Sequence, residues 1–146
     1  MIDISVPLHI AFHMLQSIFI VYKDMMKWAQ NVLGWKKVNV NKVSESFDMC
    51  RQLCMLTLQE TERLTIDSFL VEYEDQLSLL TNALNRDSIG VTIISMYNTY
   101  AHDMESQDDR RLYLKGFIIM STQFRNYWTA TRRGIESQWR QYKING

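Results

Sequence analysis

The sequence predicts an all-α protein, a single-domain bundle of about five helices with a long C-terminal helix. Apolar residues recur at helical spacing along most of the 146-residue chain. Five glycines and a single proline leave few residues for tight turns. No Asn-Gly or Asp-Gly dipeptide joins two alternating apolar runs, so the main short-range signal of a β-hairpin is missing. A chain of this length is close to the usual size of one domain, and we expect residues 1–146 to form one.

The first predicted helix begins at Ser5 and ends near Gly34. Ser5 is a favourable N-cap residue, Pro7 is tolerated in a first turn, and Gly34 suits a left-handed C-terminal cap. Polar residues form only a narrow stripe along this helix, so we expect it to lie at the centre of the bundle. Residues 35–40 form a linker.

The second predicted helix begins at Asn41 or Ser44, either of which could cap it, and ends at about Arg63. The third begins at Thr65 and carries apolar side chains at the i, i+3, i+4, i+7 spacing of a surface helix. Its outer face is acidic and holds Glu72, Glu74 and Asp75.

The fourth predicted helix spans residues 88–105, although β-branched residues at positions 91–94 leave a strand as the alternative. Ser106 and Asp109 resemble an N-terminal capping pattern for the last helix. An apolar stripe then continues for about 37 residues, or about 55 Å of helix, which is longer than a domain of this size is wide. The helix is therefore expected to project as an arm over about residues 125–146, or to bend near Gly134.

Charge is segregated along the chain. Residues 110–146 carry eight Lys or Arg and one Glu, whereas residues 60–109 carry eleven acids and two Arg, and the total is zero. Large aromatic residues alternate with the cations of the basic segment. This segment is therefore suited both to packing and to attracting an acidic surface, either of the same chain or of a second copy.

This pattern favours a non-catalytic protein–protein interaction or assembly module that self-associates or is a subunit of a larger complex. The expected partner is a second copy of the chain or another acidic protein surface. Besides the acidic residues named above, the predicted contact residues are Arg125, Trp128, Arg132, Arg133, Trp139 and Arg140.

Nucleic acid is the alternative partner for the same C-terminal helix. Arginines could contact phosphates while the aromatic rings stack on bases. The neutral net charge of the chain weighs against this alternative, because nucleic-acid-binding domains are usually basic.

A small helical metal-binding protein or enzyme is the second alternative. His9 and His13 lie four residues apart, as do Cys50 and Cys54, and two facing helices could present all four to zinc. The histidines fall on a polar stripe and the cysteines on an apolar one, so packing should separate them. The sequence has no nucleophile elbow and no phosphate-binding glycine motif. We therefore predict no metal, no cofactor and no catalytic residue.

The compartment is predicted from the N-terminal segment and the cysteines. The N-terminus lacks the basic region of a secretory signal, and no apolar stretch approaches the ~20 residues of a membrane span. Two cysteines one helical turn apart are poorly placed for a structural disulfide. These features predict an intracellular protein without a membrane span, in the cytoplasm or the nucleus.

Overall fold

The computed structural model describes residues 5–83, 86–101 and 109–145, and these residues contain helices but no β-strand. The elements are α1 (Ser5–Val21), α2 (Lys23–Leu33), a 3-10 turn (Val43–Glu45), α3 (Phe47–Glu72), α4 (Glu74–Ala83), α5 (Arg86–Ala101) and α6 (Asp109–Asn145). The predicted all-α class and the long C-terminal helix are confirmed. The described residues form six α-helices, where the sequence predicted about five.

The chain divides into two compact units. Unit 1 comprises Met1–Leu58 and Ile119–Gly146, and unit 2 comprises Gln59–Ile118. Helices α3 and α6 each contribute residues to both units. The single domain expected from the chain length stays a prediction.

The first predicted helix corresponds to α1 and α2, which are separated only by Tyr22. The amide of Tyr22 donates to the carbonyl of Ile18 at 2.8 Å, and the amide of Met26 donates to the carbonyl of Tyr22 at 3.0 Å, so helical hydrogen bonding crosses the interruption. The predicted end is confirmed, because Gly34 adopts the left-handed conformation with φ 69° and its amide donates to the carbonyl of Asn31 at 3.2 Å.

The predicted central position of this first helix is wrong. One face of α1 and α2 is exposed to solvent and carries large apolar side chains as well as polar ones. Ile20 is 68% exposed and Trp28 is 65% exposed. The polar stripe thus marks only part of the solvent-facing surface, and sequence hydropathy overestimated how much of the helix is covered.

The predicted boundary between the second and third helices, at residues 63–65, is also wrong, because α3 passes through it. The hydroxyl of Thr65 donates to the carbonyl of Thr61 at 2.8 Å, so it bonds within the helix instead of capping a new one. Arg63 forms ion pairs with Glu60 and Asp67, which lie three residues before it and four after it. This spacing belongs to a helix interior.

The start of α3 lies later than predicted. The helix begins at Phe47, and the carbonyl of Ser46 accepts a hydrogen bond of 2.9 Å from the amide of Cys50. Ser44, one of the two predicted caps, belongs to the preceding 3-10 turn, and Asn41 lies before that turn. Neither residue therefore caps α3.

The fourth predicted helix is confirmed as a helix over Arg86–Ala101, including the β-branched run at residues 91–94. It begins two residues before the predicted start. Residues 102–105 of that prediction, and the predicted cap Ser106, lie outside the described residues.

The core of unit 1 is built from α1, α2, α3 and the C-terminal part of α6. Its fully buried side chains include Leu15, Phe19, Met26, Leu53, Cys54, Ser121 and Phe124. In unit 2, the fully buried Phe69 of α3 stands in a cluster of rings, with centroids 5.1 Å from Tyr73, 5.4 Å from Tyr97 and 5.5 Å from Tyr100. Burial raises the pKa of Tyr97, and the nearby carboxylate of Glu62 raises it further.

Helix α6 continues through Gly134 without interruption. The projection of residues 125–146 as an arm stays a prediction. A Cβ atom added at Gly134, or at Gly90 inside α5, would meet no described atom within 4 Å other than the neighbouring backbone of its own helix. Both glycines therefore weaken their helices without a packing reason.

We expect Gly134→Ala and Gly90→Ala each to raise the free energy of unfolding by about 0.5–1 kcal/mol, because alanine loses less backbone entropy on entering a helix. Urea denaturation followed by circular dichroism measures the change. The control is Gly34→Ala, which should lower stability because Gly34 has a positive φ of 69°. A loss of stability in Gly134→Ala or Gly90→Ala would contradict the conclusion that a Cβ atom has room at these positions.

Candidate protein interaction surface

The apolar stripe of α6 is covered in its middle and exposed at both ends, because Tyr113 is 41% exposed and the cover is lost again toward the C-terminus. Phe117 and Phe124 are fully buried, Trp128 and Ile135 are half-buried, and Trp139 is 49% exposed. All five belong to one uninterrupted helix. The C-terminal part of the stripe is therefore apolar surface that the chain leaves partly open.

Trp128 is held by residues of α3, one of which stacks on α1. Its ring centroid lies 5.4 Å from that of Phe47, which stacks in turn on Phe12 at 5.1 Å. The guanidinium carbon of Arg51 lies 5.7 Å from the centroid of the Trp128 ring, within cation–π distance. The indole nitrogen is buried and has no hydrogen-bond partner among the described residues. This predicted contact residue thus takes part in the packing of unit 1.

Arg51 also forms an ion pair with Asp48, with 2.7 Å between Nη2 and Oδ1. The hydrogen bond and the charge of Arg51 hold the pKa of Asp48 below its ordinary value, and Arg132 on α6 adds a smaller attraction. The cationic face of α6 thus lies close enough to the start of α3 for its charge to act there.

The predicted arginines of α6 are all exposed, and we call the following residues the distal surface: Arg125, Arg132, Arg133, Trp139, Arg140 and Lys143. Arg132 pairs with Glu136 at 3.4 Å. Within the part of the chain that the structure describes, Arg133, Arg140 and Lys143 form no ion pair. Arg133 and Arg140 are seven residues apart and therefore share one face of the helix.

A cleft of about 300 Å³ is lined by residues of α6 next to this surface. No sequence motif indicates it. The hydroxyl of Tyr127 donates to the carbonyl of Pro7 at 3.3 Å and fixes the start of α1 at one wall. The other wall is formed by Ala130, Thr131, Gly134, Ile135 and Gln138. The only sequence signal was the spacing of Ala130 and Gly134, two small residues one helical turn apart.

Glu72, Glu74 and Asp75, which we call the acidic surface, lie in unit 2 and are exposed. Glu72 ends α3, whereas Glu74 and Asp75 occupy the first turn of α4, where the helix dipole favours carboxylates. Among the described residues, Glu74 and Asp75 have no ion-pair partner. Their charge is available to a cationic partner.

No family model, curated protein or solved structure matches this chain. Its function has to be inferred from its own residues. No helix among the described residues has both the length and the apolarity needed to cross a membrane.

The histidine and cysteine pairs occupy different environments. His9 and His13 are exposed, with 2.9 Å between their Nε2 atoms, whereas Cys50 and Cys54 are fully buried. The Cys54 thiol donates to Ser121 Oγ at 3.6 Å. In residues 5–83, 86–101 and 109–145, no three His, Cys, Asp or Glu side chains are grouped so that they could hold a metal ion. The four candidate ligands therefore do not form the site considered from the sequence.

Both cysteine thiols are shielded from water. Burial raises the pKa of Cys54 from 9.0 to about 11, although the hydrogen bond with Ser121 acts in the opposite direction. Burial also raises the pKa of Cys50. Neither thiol has the lowered pKa of an activated nucleophile.

Proposed function

We propose that the chain is a non-catalytic assembly module whose distal surface binds the acidic surface of a second copy. The observation that carries this proposal is the declining burial of the α6 stripe, from 0% exposure at Phe124 to 49% at Trp139. A partly exposed tryptophan on a helix that also carries exposed arginines is typical of a residue that anchors a protein interface.

Charge supports a second copy as the partner. Arg133, Arg140 and Lys143 lack an ion pair within the described residues, and so do Glu74 and Asp75. Opposite charges on two exposed surfaces steer association and fix its register. Each copy carries both a distal surface and an acidic surface. A homodimer with two such contacts, or a larger homo-oligomer, therefore pairs every distal surface with an acidic surface.

Charge reversal tests this proposal. The combined variant Arg133→Glu/Arg140→Glu should weaken self-association at least about tenfold, because it places like charges opposite Glu74 and Asp75. Sedimentation velocity over a concentration series gives the dissociation constant. Wild-type association should also weaken between about 0.05 M and 0.5 M salt, because salt screens exposed charges.

A second reversal makes the test specific. Glu74→Lys/Asp75→Lys should weaken association by itself, and mixing this variant with Arg133→Glu/Arg140→Glu should restore a heterodimer. Lys23→Glu, a charge reversal on the exposed surface of α2, is the matched control and should leave association unchanged. A wild-type protein that stays monomeric at about 100 μM in low salt overturns the proposal, as does a failure of the mixture to associate.

Nucleic acid is the second candidate partner, favoured by the unpaired cations beside the exposed Trp139. Binding of a labelled single-stranded RNA should then weaken steeply with salt through counterion release. The same variants separate the two functions. RNA binding would be lost in Arg133→Glu/Arg140→Glu and kept in Glu74→Lys/Asp75→Lys, whereas self-association requires both surfaces.

An intracellular location fits this function. Cys50 and Cys54 are free, buried thiols, a state that is maintained in the reducing cytoplasm and nucleus. A fluorescently tagged chain should therefore be found in one of these compartments, and secretion into the medium would contradict the assignment.

A further inference from the structure

A second cavity of unit 1 shares no lining residue with the distal surface. Its volume is about 530 Å³, within the range of small-molecule sites. The end of α2, the connection after Gly34 and the 3-10 turn line it, and it is open to solvent. The lining residues used below are Lys27, Asn31, Lys36, Lys37, Asn41 and Glu45.

Two amide side chains hold the walls of this cavity in place. Gln30 Nε2 donates to the carbonyls of Trp35 at 2.9 Å and Val38 at 2.5 Å, which ties the connection to α2. Asn39 Oδ1 accepts from the backbone amides of Asn41 at 3.1 Å and Lys42 at 3.2 Å, and so forms a turn. The cavity is therefore built before any ligand enters it.

The cavity carries uncompensated positive charge. Within the described residues, Lys27, Lys36 and Lys37 form no ion pair. The acid that lines the cavity, Glu45, already accepts from Asn39 Nδ2 at 2.9 Å and lies 3.7 Å from the ammonium group of Lys42. The three lysines thus remain available to an anion.

Two further amides supply neutral hydrogen-bonding groups. The side chains of Asn31 and Asn41 make no hydrogen bond within the part of the chain that the structure describes, in contrast to those of Gln30 and Asn39. A primary amide both donates and accepts, which matches a hydroxyl group.

We propose that this cavity binds a small hydroxylated polyphosphate, with phosphates on Lys27, Lys36 and Lys37 and hydroxyls on Asn31 and Asn41. Lysine binds phosphate as a point charge and does not require the fixed geometry of a bidentate arginine contact. The same chemistry is offered by a free inositol phosphate and by the headgroup of a phosphorylated inositol lipid.

Calorimetric titration with inositol hexakisphosphate tests the lysines. The variant Lys27→Gln/Lys36→Gln/Lys37→Gln should bind at least about tenfold more weakly than the wild type. The three lysines are exposed, so the variant should keep its circular dichroism spectrum and melting temperature. Lys23→Gln/Arg63→Gln removes two exposed charges that belong neither to the cavity nor to the distal surface, and should bind like the wild type. Equal loss in both variants overturns the proposal, and so does the absence of saturable binding below about 1 mM when the vesicle test below is negative too.

The two asparagines are tested by comparing ligands with and without alcohol hydroxyl groups. Asn31→Ala/Asn41→Ala should weaken the binding of inositol trisphosphate, which keeps free hydroxyls, by up to about tenfold. It should leave the binding of inositol hexakisphosphate and tripolyphosphate unchanged, because neither offers a free alcohol hydroxyl to the amides. Equal loss for tripolyphosphate would overturn the role given to the two asparagines.

Vesicles distinguish the two sources of the ligand. The wild type is sedimented with phosphatidylcholine vesicles that contain or lack phosphatidylinositol bisphosphate. If the protein sediments only with vesicles that contain the phosphorylated lipid, and the triple lysine variant does not, the ligand of the cavity is a lipid headgroup. If the protein binds soluble inositol phosphates but does not sediment with vesicles, the ligand is a free inositol phosphate. If it binds neither the vesicles nor the soluble compounds, the proposed site is overturned.

Discussion

Replacing Phe124 by alanine should lower the free energy of unfolding by about 3–5 kcal/mol, whereas Trp139→Ala should lower it by less than about 1 kcal/mol. Phe124 is fully buried in unit 1, and its removal leaves a cavity as well as losing buried apolar surface. Trp139 is 49% exposed on the same helix and the same apolar stripe. Urea denaturation of both variants measures the two changes.

The comparison is made at about 1 μM, where self-association of the kind proposed here contributes little to stability. At about 100 μM the cost of Trp139→Ala should rise, because the wild type is then stabilised by its partner and the variant is not. Equal losses for the two variants at low concentration would show that the C-terminal part of the stripe is as well covered as the rest. The proposed interface would then lose its basis.

The features that the sequence predicted correctly are those that local signals determine. The left-handed cap at Gly34 follows from the conformational freedom of one residue, and the structure has it at φ 69°. The long α6 follows from a helical period sustained over about 37 residues.

The errors arose where one residue type has two local uses. Thr65 can cap a helix through its hydroxyl, or bond to the carbonyl four residues earlier and remain inside one, as it does with Thr61. Lys115 was counted with the cations of the basic segment, but it is 5% exposed in unit 2. The net charge of a segment therefore overestimates the charge that it presents to a partner.

The structure also reveals pairings between residues far apart in the sequence. Tyr127 bonds to Pro7 across 120 residues, and Cys54 bonds to Ser121 across 67. Spacing within one helix carries no information on which face of another helix it meets. For this reason the cleft between Pro7 and the part of α6 around Gly134 could be found only in three dimensions.

Raising the pH from 9 to 11 should remove about 2 kcal/mol of stability through Cys54. In the unfolded chain this thiol ionises near its usual pKa of 9.0, whereas in the folded chain burial raises the pKa to about 11. Between these values the unfolded state holds fewer protons than the folded state. Loss of protons with rising pH therefore favours unfolding, and the stability present below pH 9 declines as the pH passes through this window.

The variant Cys54→Ala isolates this contribution. It should be less stable than the wild type at pH 7, because it loses the buried sulfur and the bond to Ser121, but the difference should shrink as the pH approaches 11. The other alkaline groups, including seven tyrosines, titrate in both proteins and cancel in the comparison. Urea denaturation at intervals of about half a pH unit measures the difference. A constant difference from pH 7 to 11 would mean that the thiol ionises at the same pH in both states, contrary to its burial against Ser121.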